Sequence, residues 1–337
     1  MSAEILRRLA FLPVTLFFVA TLVFIALRAL PGSAVDVLTS QFATAGLREQ
    51  LIAQLGLDQP LWRQYLIYMG DLLRLDLGRS FLTGRSVSSM VWQTLPVTIE
   101  LAVASLLVML IAGLGMGLAA AARPGTVLDV GMRVLAMTLF SVPWFWFGIV
   151  MIVVFSLWLG WLPAFGRMPS ALDYRATTNF VLIDAVIQRR PELIGPWLAH
   201  LTLPALTVGL TSAGILMRLA RSSMLDAGAR DFVLTARMKG VPRRRIFFRH
   251  MLRNAALGIL TVIGLQFGAM LGGSVVAEVV FGYPGIGRMM IDAIQTRDYA
   301  VAQGAALALA VLYVLVNLVT DLTYRWADPR LRREPGR

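Results

Sequence analysis

The chain has 337 residues, 58% hydrophobic and only 15% charged, with a mean hydropathy of +0.72; a soluble domain carries about 25% charged residues, so the composition is that of an integral membrane protein. The net charge of +12 comes from basic residues that are all arginine except Lys239; they lie between apolar runs, so the charge reads as membrane topology and not as a nucleic-acid surface. With no cysteine there are no disulfides, thiolate metal sites or cysteine nucleophiles, and His200 and His250 fall on separate predicted loops or loop edges, which argues against a histidine metal cluster.

Residues 1–8 carry Arg7 and Arg8 and lead into an apolar run over 9–30. At about 1.5 Å per residue this run covers a ~30 Å hydrocarbon core, and it exceeds the apolar region of a signal peptide, about 7–15 residues. It reads as an uncleaved first span. Residues 31–95 are polar and mixed. Helical spacing recurs over Leu47–Leu55 and Leu61–Leu73, separated by Gly56, Asp58 and Pro60, which predicts a small helical extracytoplasmic module, a cap over the spans, a docking surface or both.

Span two is expected at about 96–120. Pro96, Thr98 and Glu100 open it, and Gly113 and Gly117 form a GxxxG pair for close helix approach. After a short loop, Arg123 to Val130, span three covers about 131–160. Pro143 removes a backbone donor mid-span and predicts a kink. Trp144, Phe145, Trp146 and Phe147 follow; packing is their default role, with Pro143 and Trp144 kept as candidates for a gate or path. Residues 161–200 form a second outer loop, and span four follows at about 201–222.

Between Arg218 and Asn254 lie ten basic residues against Asp226 and Asp231. Asp231 suits the first turn of a short helix, and Arg237 and Lys239 its last turn. Gly240 is placed to end that helix in a left-handed conformation, and Pro242 to open the next. Val233, Ala236, Ile246, Phe247 and Phe248 are the expected apolar contacts. Span five, about 255–281, carries Gly264, Gly268 and Gly272 as a smooth face. Glu278 sits near its far end, where an ionisable residue is costly and is either structural or part of a gate. Pro284, Gly285 and Gly287 predict an abrupt turn, and Pro284 and Gly285 join Glu278 as candidates for a gate or path. Span six covers about 300–324, with Asn317 and Asp321 four residues apart.

With the N-terminus inside, the inner segments hold 19 of the 31 basic residues in much less chain than the outer segments, which hold 11. That bias puts both termini and the basic loop in the cytoplasm. The domain plan is then 1–30, N-terminus and first span; 31–95, extracytoplasmic module; 96–325, a five-helix core containing loop 222–254; and 326–337, a cytoplasmic tail. The expected fold is an all-α membrane protein with six transmembrane helices.

The string Thr235-Ala236-Arg237-Met238-Lys239-Gly240, followed by His250 and Arg253-Asn254, resembles the cytoplasmic "EAA" loop of ABC importer permeases, and within them the dipeptide, oligopeptide and nickel group. Leu30-Pro31-Gly32, Leu55 to Pro60, Asp76 to Ser80, the Pro96-x-Thr98-x-Glu100 pattern, Glu278 to Gly287, Arg297-Asp298-Tyr299 and Asp328-Pro329-Arg330 resemble further landmarks of that group. Met238 departs from its usual alanine. The resemblance implies a coupling helix that uses Asp231, Thr235, Ala236, Arg237, Lys239 and Gly240 to dock on an ATPase. It implies a second homologous permease, as hetero- or homodimer, and two cytoplasmic ATPase subunits or one fused pair. It also implies an extracytoplasmic binding protein, and a bacterial plasma membrane whose lipid surrounds the spans.

Nothing in the chain supports catalysis: there is no HExxH, no Ser/His/Asp spacing and no Walker A motif, since Lys239 precedes its glycine. ATP and Mg would therefore sit on a partner subunit, with no cofactor in this chain. The expected function is a permease for an ATP-driven, binding-protein-dependent importer, of di- or oligopeptides by preference. An ion-gradient-driven secondary transporter, with Glu100, Glu278 and Asp321 as carriers, is the alternative.

Overall fold

A computed structural model of the chain describes residues 2–29 and 58–327. The expected helix at Leu47–Leu55, the Leu30 to Gly32 string and Asp328 to Arg330 lie outside the described residues. Among these, regular structure is helical apart from one isolated bridge between Arg79 and Ser86. The long and short helices are α1 (Ser2–Ala29), α2 (Leu61–Leu73), α3 (Val87–Met109), α4 (Gly115–Ala122), α5 (Val127–Ser141), α6 (Trp144–Met151), α7 (Val181–Ile187), α8 (Ile194–Gly228), α9 (Asp231–Met238), α10 (Leu252–Val280), α11 (Ile286–Gln295) and α12 (Tyr299–Ala327). A π-helical turn, Leu110–Leu114, joins α3 to α4, another, Ile152–Trp158, extends α6, and a third, Ile246–Met251, leads into α10. Five stretches are long and apolar enough to cross a membrane, and six if the bent pair Val127–Ser141 and Trp144–Trp158 is one span. The expected six-span, all-α class is met.

Three boundaries differ from expectation. Span two begins nine residues before Pro96, at Val87, and carries that proline inside α3. Span four begins at Pro191, so the outer loop is shorter than 161–200 and holds α7 as well. Span three does not kink at Pro143 but breaks by 104°. Val142 (ψ 128°) and Pro143 (ψ 137°) are both extended, because a residue before proline is driven out of the helical region. Two extended residues end one helix and start another.

The contacts divide the chain into two units. The first comprises Met1–Thr98, Thr177–Phe180 and Pro284–Val314. Its core joins Leu27 of α1, Val87 and Val91 of α3, Ile286 and Ala293 of α11, and Tyr299, Val301, Ala302 and Ala305 of α12. On α1, Phe24 meets Tyr65 and Tyr68 of α2 at ring separations of 5.3 and 5.7 Å, and Thr21 shares a 2.7 Å hydrogen bond with Tyr65. Burial, and then the neighbouring Tyr65, raises the Tyr68 phenol to about 12. The Arg28 guanidinium lies over the Tyr299 ring, 4.5 Å from its centroid. A cation at the end of an apolar span is thus placed on an aromatic face.

The second unit comprises Ile99–Ala176, Val181–Tyr283 and Leu315–Arg337. Its centre is α8. The apolar window of this span is 72% buried, against 17% for α1, although it is the least apolar of the five. Small residues let its neighbours approach. A Cβ on Gly113 or Gly117 would lie within about 3 Å of the backbone of α8, at Ala213 and Met217, so the GxxxG pair works as expected. Gly209 and Gly214 of α8 return the fit, against Ser105 and Val108 on α3 and against Ala136 on α5. On α10, Gly264 and Gly268 of the expected smooth face are buried, but Gly272 is exposed. Gly272 has open space beside it, whereas Gly273 lies directly under the Trp144 ring, which occupies the place a Cβ would take. Gly209→Val should therefore lower the apparent Tm of the detergent-solubilised protein, by the ~1–3 kcal/mol typical of overpacking or more. Gly115→Ala, where nothing lies within 4 Å, should leave it unchanged or slightly raised.

Candidate functional site

The short helix α9 forms as its punctuation predicts. Asp231 lies in its first turn and Arg237 in its last, while Lys239, expected in that turn, stands just past it as the cap. Beyond its end Gly240 takes φ +72°, Gly240 N–H donates to Arg237 O at 3.0 Å and Val241 N–H to Ala236 O at 3.1 Å. This paired closure satisfies two of the last carbonyls. Pro242 sits one place earlier than expected, as the cap of the next turn, with Arg245 and Ile246 N–H donating to its carbonyl. Val233, Ala236 and Ile246 bury together, with Phe232, Val241 and Met251 packed against them. Phe247 is half-buried and Phe248 is 53% exposed, so Phe248 is not the core contact expected. The opposite side of α9 is uncovered: Leu234 is 59% and Met238 74% exposed, four residues apart, and Asp231, Thr235, Arg237, Lys239 and Gly240 are exposed around them.

At the far end of α10 the same closure recurs. Gly282 takes φ +58°, Gly282 N–H donates to Val279 O at 3.3 Å and Tyr283 N–H to Glu278 O at 2.8 Å. This drives Phe281 and Tyr283 inward, where they are among the largest fully buried side chains, with Glu278. Gly166 N–H donates to Phe281 O at 2.9 Å, which ties the loop after span three to this end of α10.

That loop brings Arg167 to Glu100. Arg167 Nη2 donates to Glu100 Oε2 at 2.5 Å, and Val181 N–H to Glu100 Oε1 at 2.6 Å. Both charged side chains are less than one-tenth exposed. Trp197 and Tyr283 face this pair and interact with it electrostatically, outside strict hydrogen-bond geometry. Tyr174 Oη donates to Asp184 Oδ2 at 2.7 Å. Burial first, and then that bond, pushes the Tyr174 phenol above its ordinary range; burial does the same for Tyr283. Both phenols stay neutral.

The quoted landmarks meet one another. Thr98 Oγ1 accepts from Ile286 N–H at 2.9 Å, joining the Pro96-x-Thr98 pattern to the Pro284-Gly285 turn. Ser80 Oγ donates to Asp298 Oδ2 at 2.6 Å. Arg297 takes φ +59° in the closure of α11, which turns Asp298 inward. Gly285 caps α11, and Pro284 and Gly285 border a cavity of about 550 Å³ that includes Ser80 and Asp298. Of the candidate gate or path residues, Pro143 and Trp144 stand at the break before α6, and Glu278 is buried at the end of α10.

Sequence reasoning missed Asp129. It is fully buried, and Arg221 of α8 holds it bidentately, Nε to Oδ1 at 2.6 Å and Nη2 to Oδ2 at 2.8 Å. Thr126 caps α5 by accepting from Asp129 N–H, and Asp129 Oδ2 reaches back to Gly125 N–H at 2.9 Å. The Thr-x-x-Asp spacing is a helix-start signal, and it could have flagged the residue. Nothing local could have paired Glu100 with Arg167.

Family signatures of binding-protein-dependent transport system inner membrane components match residues 1–102, for the N-terminal part, and 113–333. The chain belongs to this family. It is 39% identical over 335 residues to the di/tripeptide transport system permease protein DppB of Pseudomonas aeruginosa, covering 99% of this chain and 100% of the relative. It is 37% identical to the dipeptide transport system permease protein DppB of Escherichia coli, covering 98% of each. A structure of the MetNI methionine ABC transporter in an inward-facing conformation shares the fold, with a TM-score of 0.53 at 15% identity over 71% of this chain and 96% of that one. As a member of the family the chain is a multi-pass inner-membrane permease subunit, and the buried Glu100–Arg167 pair is part of how its loops are fastened to its spans. Arg167→Met strands a buried carboxylate and should cost about 3–5 kcal/mol, read as a large loss of Tm. Adding Glu100→Gln should restore part of it; a loss in the double variant equal to the sum of the two single losses would show that the two residues act independently.

Proposed function

We propose that this permease forms half of the translocation path of an ATP-driven peptide importer and that α9 is where the driving force enters. The observation that carries this is the two-sidedness of α9. Val233 and Ala236 fix it to its own chain, while Leu234 and Met238 present an uncovered apolar pair, ringed by Asp231, Thr235, Arg237 and Lys239. A surface of that kind suits a groove on a partner. The partner is an ATPase, present as two subunits or a fused pair, which binds ATP and Mg. A second, homologous permease completes the path, and an extracytoplasmic binding protein delivers substrate. Both termini and α9 face the cytoplasm, in keeping with the density of basic residues there. Di- and tripeptides are the substrate class, supported by the names of the relatives.

Closure of the ATPases on ATP would move α9 as a rigid lever, and the spans would switch from inward-facing to outward-facing. Glu278 serves to hold the end of α10 in place. Pro143 and Trp144 border the path: the extended Val142–Pro143 step leaves backbone groups outside a helix, and at membrane depth this is tolerated only against protein or a watery cavity.

Gly240 tests the lever. A Cβ there meets nothing within 4 Å, so a substitution acts through the left-handed backbone alone, at about 1–2 kcal/mol for a β-branched residue. In proteoliposomes holding the whole transporter, Gly240→Val should abolish dipeptide uptake while the chain still inserts, and Gly240→Asn should retain most of it. Full uptake in the valine variant would remove α9 from the coupling path. Uptake that survives ATP depletion and fails when the ion gradient collapses would favour the gradient-driven alternative.

A further inference from the structure

Beside α9, but on a different surface, a trough of about 740 Å³ runs between the end of α4 and the turns that follow Pro242. Arg123, Arg243 and Arg244 line it, and its floor is Leu118 and Ala119 with Phe247 and Phe248. A second hollow of about 470 Å³ shares Ala122, Pro124, Arg243 and Phe247 with it. No carboxylate lines either hollow among the described residues. All three arginines are exposed, and Phe248 is 53% exposed.

We propose that this trough binds one anionic glycerophospholipid, phosphate on the arginines and acyl chain along the floor. Two features decide for a lipid over a soluble protein. The floor residues Leu118 and Ala119 belong to the apolar membrane-crossing stretch Val87–Ala122, so the trough starts within hydrocarbon and ends in charge, as a phospholipid does. The uncovered pair that suits a protein groove, Leu234 and Met238, does not border it. Arginine forks match phosphate oxygens two at a time, and a basic pocket between membrane helices is an anionic headgroup site. Lipid seated here would bridge the end of span two to the segment that carries α9, without depending on which partner α9 meets.

The whole transporter, reconstituted in nanodiscs of phosphatidylcholine with and without phosphatidylglycerol, then released and weighed by native mass spectrometry, tests this. The wild type should retain phosphatidylglycerol in preference to phosphatidylcholine. Arg123→Gln, Arg243→Gln and Arg244→Gln should each weaken that preference about fivefold. The charge-matched set Arg230→Gln, Arg245→Gln and Arg249→Gln, outside the trough, should leave it unchanged. Leu118→Trp, which fills the floor and keeps the charge, should also expel the lipid. Equal losses from both arginine sets would reduce the effect to diffuse surface charge and overturn the proposal. So would trough variants that shed the ATPase while keeping phosphatidylglycerol.

Discussion

The last carbonyls of a helix have no partner within it, and several helices in this chain end by the same device. After α2, α7, α9, α10 and α11, a residue at positive φ lets two N–H groups turn back onto the final turn. At Gly240 and Gly282 the residue pays no steric penalty. At Leu75, Arg189 and Arg297 (φ 55–59°) it is not glycine, and the returning backbone bonds offset the steric cost. Each closure also fixes direction. That of α10 sends Tyr283 and Phe281 inward, that of α11 presents Asp298 to Ser80, and that of α9 sets the start of the following basic turn. The closures set the direction in which each following loop leaves its helix.

Charge is handled by the same rule. The buried carboxylates Glu100 and Asp129 each bind an arginine from a distant part of the chain and also accept a backbone N–H. A buried ion pair contributes little net stability, because the desolvation cost nearly cancels the attraction, but losing one partner is expensive. Such pairs therefore act as fasteners that must be closed on both sides. Arg167 fastens the loop after span three to span two, and Arg221 fastens α8 to the start of α5.

What could be read from sequence follows the range of the physics. The α9 helix, its glycine end and the apolar set Val233, Ala236 and Ile246 were legible because caps and turns are local. The GxxxG contact was legible because small residues four apart have one main use. The break at Val142–Pro143 was legible only as a kink: a mid-span proline reads first as a backbone bond lost from its own helix, whereas its push on the residue before it is what separates the two helices. Phe248 read as core because an apolar residue beside a helix defaults to burial, yet it stays open over the arginine trough. Glu100 with Arg167 and Asp129 with Arg221 could not be paired at all, since they are joined only once the spans are packed. The Ser80–Asp298 bond joins two landmarks that the sequence displayed separately, without showing that they touch.

The seat of Trp144 on Gly273 carries a consequence for how this permease can vary. The indole occupies the volume of the missing side chain, so the two positions share one fixed amount of space. A relative with a larger residue at the position of Gly273 should have given up the indole at the position of Trp144, and a chain that keeps the indole should keep glycine. The two sites are expected to change in concert along the family's history. Where they have, the pair dates the moment at which the wall between α6 and α10 was rebuilt.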